Sequence, residues 1–428
     1  MLILNKSRFQ FSILFGFLVL NIGQLFSEED FLNQHSLQLD ALVKEVLERN
    51  PDLEAAKERI RAAAEVIPRV QVIDDPEFKF TSDYNNFKSK SDWLPMLQYQ
   101  ISQTFPFPGK LGLKGKVAEE ILKQFQSQET ITRRDLILQS KSLYFQLVLN
   151  DLSFQINRNN RDVVENIVNA SMSLYRSGIA GFEEVSKAQA ELQILDEQLL
   201  AIDADRIFIT SMLNAILNRA PNSPLGQPVQ EFSHSLDFSY EELESIAIQN
   251  RPELEGLQAM VSEQEMMAKL AKRNYFPDVT ISAGYEQMTN NLSDNAWVAS
   301  IGFKIPLWAG RRQGREVREA KARASANISA LKGMEANIRG QIQAILGKLK
   351  ANDERILLYD TGLLPKIQET LKAAESSYRA GKGGFLVLLD TRRQFQEISL
   401  EYERVRIEKE VLLAELERAV GVPLEEIR

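Results

Sequence analysis

The sequence predicts a mainly α chain with a small β part, written as two tandem copies of one unit: helix, β-hairpin, long helical hairpin. Three observations carry that prediction. The second half repeats the order of the first, each half holds two short alternating segments, and each holds a helical stretch near 70 residues. Glycine and proline number only 21 and 14 in 428 residues, which favours long elements over many short ones.

The chain opens with Lys6 and Arg8, an apolar run from Phe11 to Leu20, then Gly23 and Ser27 before the acidic Glu28-Glu29-Asp30. That order reads as a signal peptide, residues 1–27. The apolar run is shorter than the roughly 20 residues that span a bilayer. The expected workplace is therefore outside the cytoplasm. No cysteine occurs, so neither a disulfide, a Cys-ligated metal site nor a lipid-modified N-terminal cysteine is expected. The only histidines, His35 and His234, are read as surface residues in loops. A net charge of -8 argues against a nucleic-acid partner, which needs surplus Lys and Arg.

An offset of 201 residues relates Asn50-Pro51-Asp52-Leu53 to Arg251-Pro252-Glu253-Leu254, and Pro76 to Pro277. Further on, Pro106 matches Pro306, Tyr175-Arg176-Ser177-Gly178 matches Tyr378-Arg379-Ala380-Gly381, and Gly181-Phe182 matches Gly384-Phe385. These matches divide the chain into a first repeat (28–225), a linker (226–238) and a second repeat (239–428).

Each copy begins with an amphipathic helix, carried by Leu39, Leu42, Val43, Val46, Leu47 and Leu53 in the first and by Leu243, Ile246, Ala247, Leu254 and Leu257 in the second. Alternating strands follow, near 76–85 and 96–105, then near 278–287 and 296–305. Their apolar positions, among them Phe78, Phe80, Tyr99, Ile101, Ile281, Trp297 and Ile301, alternate with small or polar ones. Polar stretches at 85–92 and 288–295 close each pair. The long helices run from Lys110 to about Ser177 and from Gly310 to about Arg379, with a kink expected at Pro365. Such helices are expected in coiled coils or a helical tube rather than in a globular domain. Glycine-containing tips near 175–184 and 378–390 turn the chain into a returning helix.

Strands of about ten residues with one apolar face match transmembrane β-strands. Four of them cannot close a barrel, and an open edge in lipid leaves backbone groups unpaired at several kcal/mol each. Other copies must complete the sheet, and a lumen favours three chains with twelve strands.

Signal, helix, hairpin, long helix, glycine tip and returning helix, written twice, resembles the TolC-like outer membrane efflux proteins over essentially the whole mature chain. The stretches that carry the resemblance are Gln103-Thr104-Phe105-Pro106-Phe107-Pro108-Gly109-Lys110, Pro306-Leu307-Trp308-Ala309-Gly310-Arg311-Arg312 and the two tips. The resemblance implies a homotrimer with a twelve-stranded outer membrane barrel, continued by a periplasmic α-helical tunnel. It also implies docking of the tips onto a periplasmic adaptor (membrane fusion) protein and an inner membrane pump of the resistance-nodulation-division type. The Phe-Pro-Gly-Lys form resembles the branch serving cobalt-zinc-cadmium exporters. The same architecture serves drugs, metal ions and secreted proteins, so a type I secretion duct stays open, as does a periplasmic coiled-coil scaffold without a pore.

On that resemblance Asp390 lines the tunnel entrance, where three carboxylates would repel anions and favour cations. Glu184, supported by Glu183, takes the matching place in the first copy. Family positions for a second acid and a latching arginine are Val387 and Gly383 here, so a latch would fall to Arg379 or Lys382. Tip and adaptor-docking positions are Tyr175, Arg176, Gly178, Gly181, Tyr378, Arg379, Gly381, Lys382 and Gly384. The barrel-tunnel junction comprises Pro106, Gly109, Lys110, Pro306, Gly310, Arg311 and Arg312. Positive charge at a helix N-terminus opposes the macrodipole, so Lys110, Lys114, Lys116, Arg311, Arg312, Arg315 and Arg318 are expected to meet outer membrane lipid headgroups. No catalytic residue, cofactor or captured metal is expected. Gly109 to Val117 is one spacer too long for a phosphate loop and ends in Val where Ser or Thr is needed.

Overall fold

A computed structural model describes residues 36–85, 94–230, 232, 239–288, 295–380, 382 and 384–427. The signal peptide, His35, His234 and most of both strand-closing stretches lie outside them.

Proline divides the opening helix of each copy, where the sequence reading has one continuous helix. Helix α1 (Leu39–Arg49) stops at Asn50, and α2 (Pro51–Gln71) starts anew. Steric pressure from the proline ring puts Asn50 in an extended conformation, φ -68 and ψ 124. Its side chain then accepts from the N–H groups of Asp52 (2.9 Å) and Leu53 (3.3 Å), capping α2.

Strands β1 (Glu77–Asn85) and β2 (Leu94–Phe105) follow, then the 67-residue helix α3 (Lys110–Arg176), about 100 Å long at 1.5 Å per residue. Helix α4 (Phe182–Ile216) returns along it. The second copy repeats the order with α5 (Tyr240–Asn250), α6 (Pro252–Arg273), β3 (Val279–Met288), β4 (Ala296–Phe303) and α7 (Gln313–Leu358). A π-helical turn, Tyr359–Leu363, leads into α8 (Leu364–Arg379), and α9 (Phe385–Val420) returns. The turn sits immediately before Pro365, at the expected kink. Proline lacks the N–H that would bond to residue 361 and its ring crowds that carbonyl. The ladder widens instead, with the Leu364 N–H reaching the Tyr359 carbonyl.

All four strands form one antiparallel sheet in the order β1-β2-β3-β4, so β2 and β3 join the two copies. Below it α2 packs on α3, α3 on α6, and α6 on α7, repeating the strand order in helices. Each copy buries its own core midway along the long helices. One sets Leu42, Val46 and Leu53 against Leu143, Tyr144, Leu147 and Leu213. The other sets Leu243, Ala247 and Leu254 against Ile338, Ile342, Leu412 and Leu416. The linker is tied to the first core by the Tyr144 hydroxyl, which donates to the Val229 carbonyl at 2.7 Å.

Candidate functional site

Two regions about 100 Å apart carry the candidate residues: the sheet with its junction to the helices, and the hairpin tips.

Side chains alternate across the sheet. Phe78 (67% exposed), Phe80, Ile101, Ile281, Trp297 (83%), Ile301 and Phe303 lie on one face and are exposed. The opposite face is polar and bonded to itself. Thr104 and Thr280 hydroxyls lie 2.9 Å apart, those of Ser282 and Ser300 lie 2.6 Å apart, and Gln98 donates to Glu286 at 3.1 Å. An exposed aromatic and aliphatic face opposite a hydroxyl-lined one is the side-chain distribution of a strand set between lipid and water. No helix among the described residues is long and apolar enough to cross a membrane.

At the junction, Pro106 ends the β2 run and Gly109 turns the chain into α3 with φ 88, a left-handed conformation that strains any other residue. Lys110 departs from expectation. It is 6% exposed, donates to the Phe276 carbonyl at 3.0 Å and pairs with Asp278 at 2.7 Å, so it faces the protein interior and not lipid headgroups. The sequence signal it offered, positive charge at a helix start, overlooked an acid supplied by the other repeat. Asp278 also accepts from the Phe107 N–H at 2.7 Å. Burial alone would push its carboxyl up. The hydrogen bonds from Lys110 and Phe107 and the charges of Lys110 and Lys114 outweigh that and hold it below the usual aspartate range. The Phe107 ring stacks on Phe276 at 4.5 Å, closing the same joint.

The second junction is built differently. Strand β4 ends at Phe303 and α7 begins only at Gln313, because Pro306 to Arg312 fold as turns. Both Arg311 and Arg312 donate their N–H to the Trp308 carbonyl at 2.9 Å. Their side chains are exposed, and so are Lys114, Lys116, Arg315 and Arg318. Gly310, also exposed, lies in the same turn.

At the first tip, Gly178 adopts φ 74 and ends α3, the Ile179 N–H reaching the Leu174 carbonyl at 2.9 Å. Gly181 and Gly384 stand at the N-caps of α4 and α9 in extended conformations. Arg176 and Arg379 are the last residues of α3 and α8, where positive charge suits the helix dipole. Lys382 is exposed. Gly381 and Gly383 lie outside the described residues.

The two tyrosines differ. Tyr175 packs on Phe182 of its own hairpin, ring centres 5.8 Å apart. Tyr378 joins a small core with Phe385, Leu389 and Ala188, backed by Ile167 and Val168, and its hydroxyl stands 3.5 Å from that of Ser171. Thus Tyr378 spans the two hairpins and Tyr175 does not.

Among the acids, Asp390 is exposed on α9 and accepts from Gln394 at 2.9 Å. Glu183 is taken by Lys187 at 2.6 Å, whose hydrogen bond and charge hold its carboxyl below the usual range. Glu184 is half-buried one residue on. Neither is joined to Asp390.

Sequence reasoning missed a polar seam two turns above the tips. Arg393 of α9 forks onto Glu191 of α4, which is 3% exposed, with Nε 2.8 Å from Oε2. Arg392 donates to Asn160 at 2.8 Å, and Gln396 donates to Asn157 at 2.6 Å. The seam ties the second hairpin to the first. Its signal was the pair Asn157 and Asn160, three residues apart on one face of a helix, where buried amides need partners.

Among the described residues, no group of His, Cys, Asp or Glu could hold a metal ion.

A family model described as Outer membrane efflux protein matches residues 42–219 and 243–422, once on each repeat. The putative multidrug resistance outer membrane protein MdtQ of Escherichia coli strain K12 is 23% identical over 70% of this chain and 68% of its own. The cobalt-zinc-cadmium resistance protein CzcC of Cupriavidus metallidurans is 21% identical over 86% and 85%. The crystal structure of the Campylobacter jejuni CmeC outer membrane channel superposes with a TM-score of 0.77 at 14% identity, covering 98% of this chain and 94% of that one.

Proposed function

The chain belongs to the outer membrane efflux protein family, and from that footing we propose that it is the passive exit duct of a tripartite efflux system. The observation that carries the proposal is the sheet: four strands with an exposed apolar face and two open edges, standing on helical hairpins about 100 Å long. Buried in an outer membrane, the apolar face meets lipid. The open edges are satisfied when three copies pool twelve strands around a lumen. The helices below then enclose a tunnel through the periplasm, and the tips face a periplasmic adaptor and an inner membrane pump, which supply energy. The duct has no catalytic step of its own.

Asp390, exposed beside the second tip, would stand three times around the entrance and make it cation-preferring. This acid and the similarity to CzcC, named for cobalt, zinc and cadmium resistance, support inorganic cations as cargo. The similarity to MdtQ, named for multidrug resistance, supports a broader cargo. Cell fractionation followed by planar-bilayer recording tests the duct. An outer membrane trimer that conducts is the expected result; a soluble periplasmic monomer without conductance would make the chain a scaffold instead.

A further inference from the structure

The two junctions follow the matched prolines Pro106 and Pro306, yet they use their residues in opposite ways. The first is turned inward: Lys110 is covered and neutralised by Asp278, and the Phe107 ring is stacked on Phe276. The second is turned outward. Leu307 is 80% exposed and Trp308 69% exposed, and Arg311, Arg312, Arg315 and Arg318 are exposed beside them.

This outward turn is fixed by its own backbone. The Trp308 carbonyl accepts the N–H groups of both Arg311 and Arg312 at 2.9 Å, the Ala309 N–H donates to the Pro306 carbonyl at 3.1 Å, and the Gly314 N–H donates to the Ala309 carbonyl at 2.9 Å. The start of α7 is in turn seated against the residues that follow α6: a methyl group at Gly314 would stand 3.0 Å from the Tyr275 hydroxyl. An indole and four guanidiniums are therefore held out in solvent, at a cost in apolar exposure and in like-charge repulsion. Between 311 and 318 the one acid is Glu316, which meets Arg312 at 3.6 Å. Positive charge here also opposes the α7 dipole, and among the described residues no acid from another element relieves it as Asp278 relieves Lys110.

Their position identifies what neutralises them. Trp297, Ile301 and Phe303 carry the apolar face of β4 to the end of the strand, the exposed Ile305 continues it, and Leu307 and Trp308 come next. Indole rings favour the boundary between acyl chains and headgroups, and guanidiniums fork onto phosphate oxygens. An apolar run, then an indole, then arginines is the layering of a lipid leaflet read from the acyl chains outward. We propose that the second junction is a binding surface for anionic phospholipid of the periplasmic leaflet, with Trp308 at the acyl boundary and Arg311, Arg312 and Arg315 on headgroup phosphates. The proposal rests on the outer membrane duct reading and names the lipid class that one of its two junctions holds.

The chain has three tryptophans, so W93F/W297F leaves Trp308 as the sole reporter. The full-length protein in phosphatidylcholine bilayers is titrated with dibrominated phosphatidylglycerol or dibrominated phosphatidylcholine, whose bromines quench indole fluorescence on contact. Half-maximal quenching is expected at an about fivefold lower fraction of the brominated phosphatidylglycerol. In the same background R311Q/R312Q/R315Q is expected to equalise the two lipids while quenching persists, and K114Q/K116Q at the first junction is expected to keep the preference. Trp308 fluorescence untouched by either lipid, or quenched equally by both before the arginines are changed, overturns the site. So does loss of the preference in K114Q/K116Q, which would make it a property of overall charge. Absence of lipid preference together with loss of SDS-resistant trimer in R311Q/R312Q/R315Q would assign the arginines to an acidic surface of the neighbouring copy instead. A parent protein that fails to enter bilayers as a trimer overturns the duct reading and this proposal together.

Discussion

Asp278, one residue before β3, binds the Lys110 ammonium at 2.7 Å and so fastens the start of a strand in the second repeat to the first residue of a helix in the first. The carboxylate also supplies the negative charge that the first turn of α3 lacks. D278A leaves a lysine with 8% side-chain exposure without its counterion and is expected to cost about 2–4 kcal/mol. K110M/D278L removes both charges and is expected to recover much of that loss. The temperature of the heat-induced mobility shift on gels, compared across the parent, single and double variants, checks both.

Glu253 gives a pH dependence of definite sign. It is the second residue of α6 and meets Arg251 at 3.1 Å and Arg418 at 2.7 Å. Burial would push its carboxyl up; backbone hydrogen bonding, the arginine charges and the Arg418 hydrogen bond prevail and hold it below the usual glutamate range. In acid the unfolded chain therefore takes up this proton first. The stabilisation is complete above the ordinary glutamate value of about 4.3 and fades as pH falls through the lower folded value. Thermal unfolding of the parent minus that of E253Q, followed from pH 7 to pH 3, should shrink below pH 4.3. A constant difference would refute the linkage.

The Arg393–Glu191 fork predicts a gating phenotype. R393A leaves Glu191 buried without its partner, at about 2–4 kcal/mol, and removes a tie between α9 and α4. The expected consequence is a leakier entrance: higher mean conductance in planar bilayers and greater sensitivity of cells to large antibiotics normally excluded. E191Q/R393Q, able to hydrogen-bond without charge, should leak less than R393A.

Asp390 governs ion preference if it rings the entrance. D390N should move the reversal potential in a KCl gradient toward zero, and D390K should invert its sign. Neither change should reduce the amount of trimer, because the side chain is exposed and its hydrogen bond is to Gln394 of its own helix.

The repeat was legible because it is written in residues with strong local effects. Pro51 and Pro252, Gly178 and the alternating aromatics act on their own backbone and can be read one copy at a time. The helix breaks at Asn50 and Arg251 escaped notice because amphipathic spacing continues smoothly across them. Long-range joints were harder. Nothing near Lys110 in sequence announces that Asp278, 168 residues away, will meet it. Nor does Arg393 announce Glu191. Both pairs form only where the repeats touch, and a sequence states neighbours along the chain, not across it.

The hydroxyl pairs on the polar face of the sheet have one more consequence. Within each of the pairs Thr104 with Thr280 and Ser282 with Ser300, one hydroxyl donates to the other, and the second O–H is left for water. Such neutral hydroxyls are wettable without being charged: they can line a water column while adding no fixed charge at those positions for passing ions to grip. Transit through that stretch would then be governed by width and diffusion, and chemical choice would be left to the charged entrance at the far end.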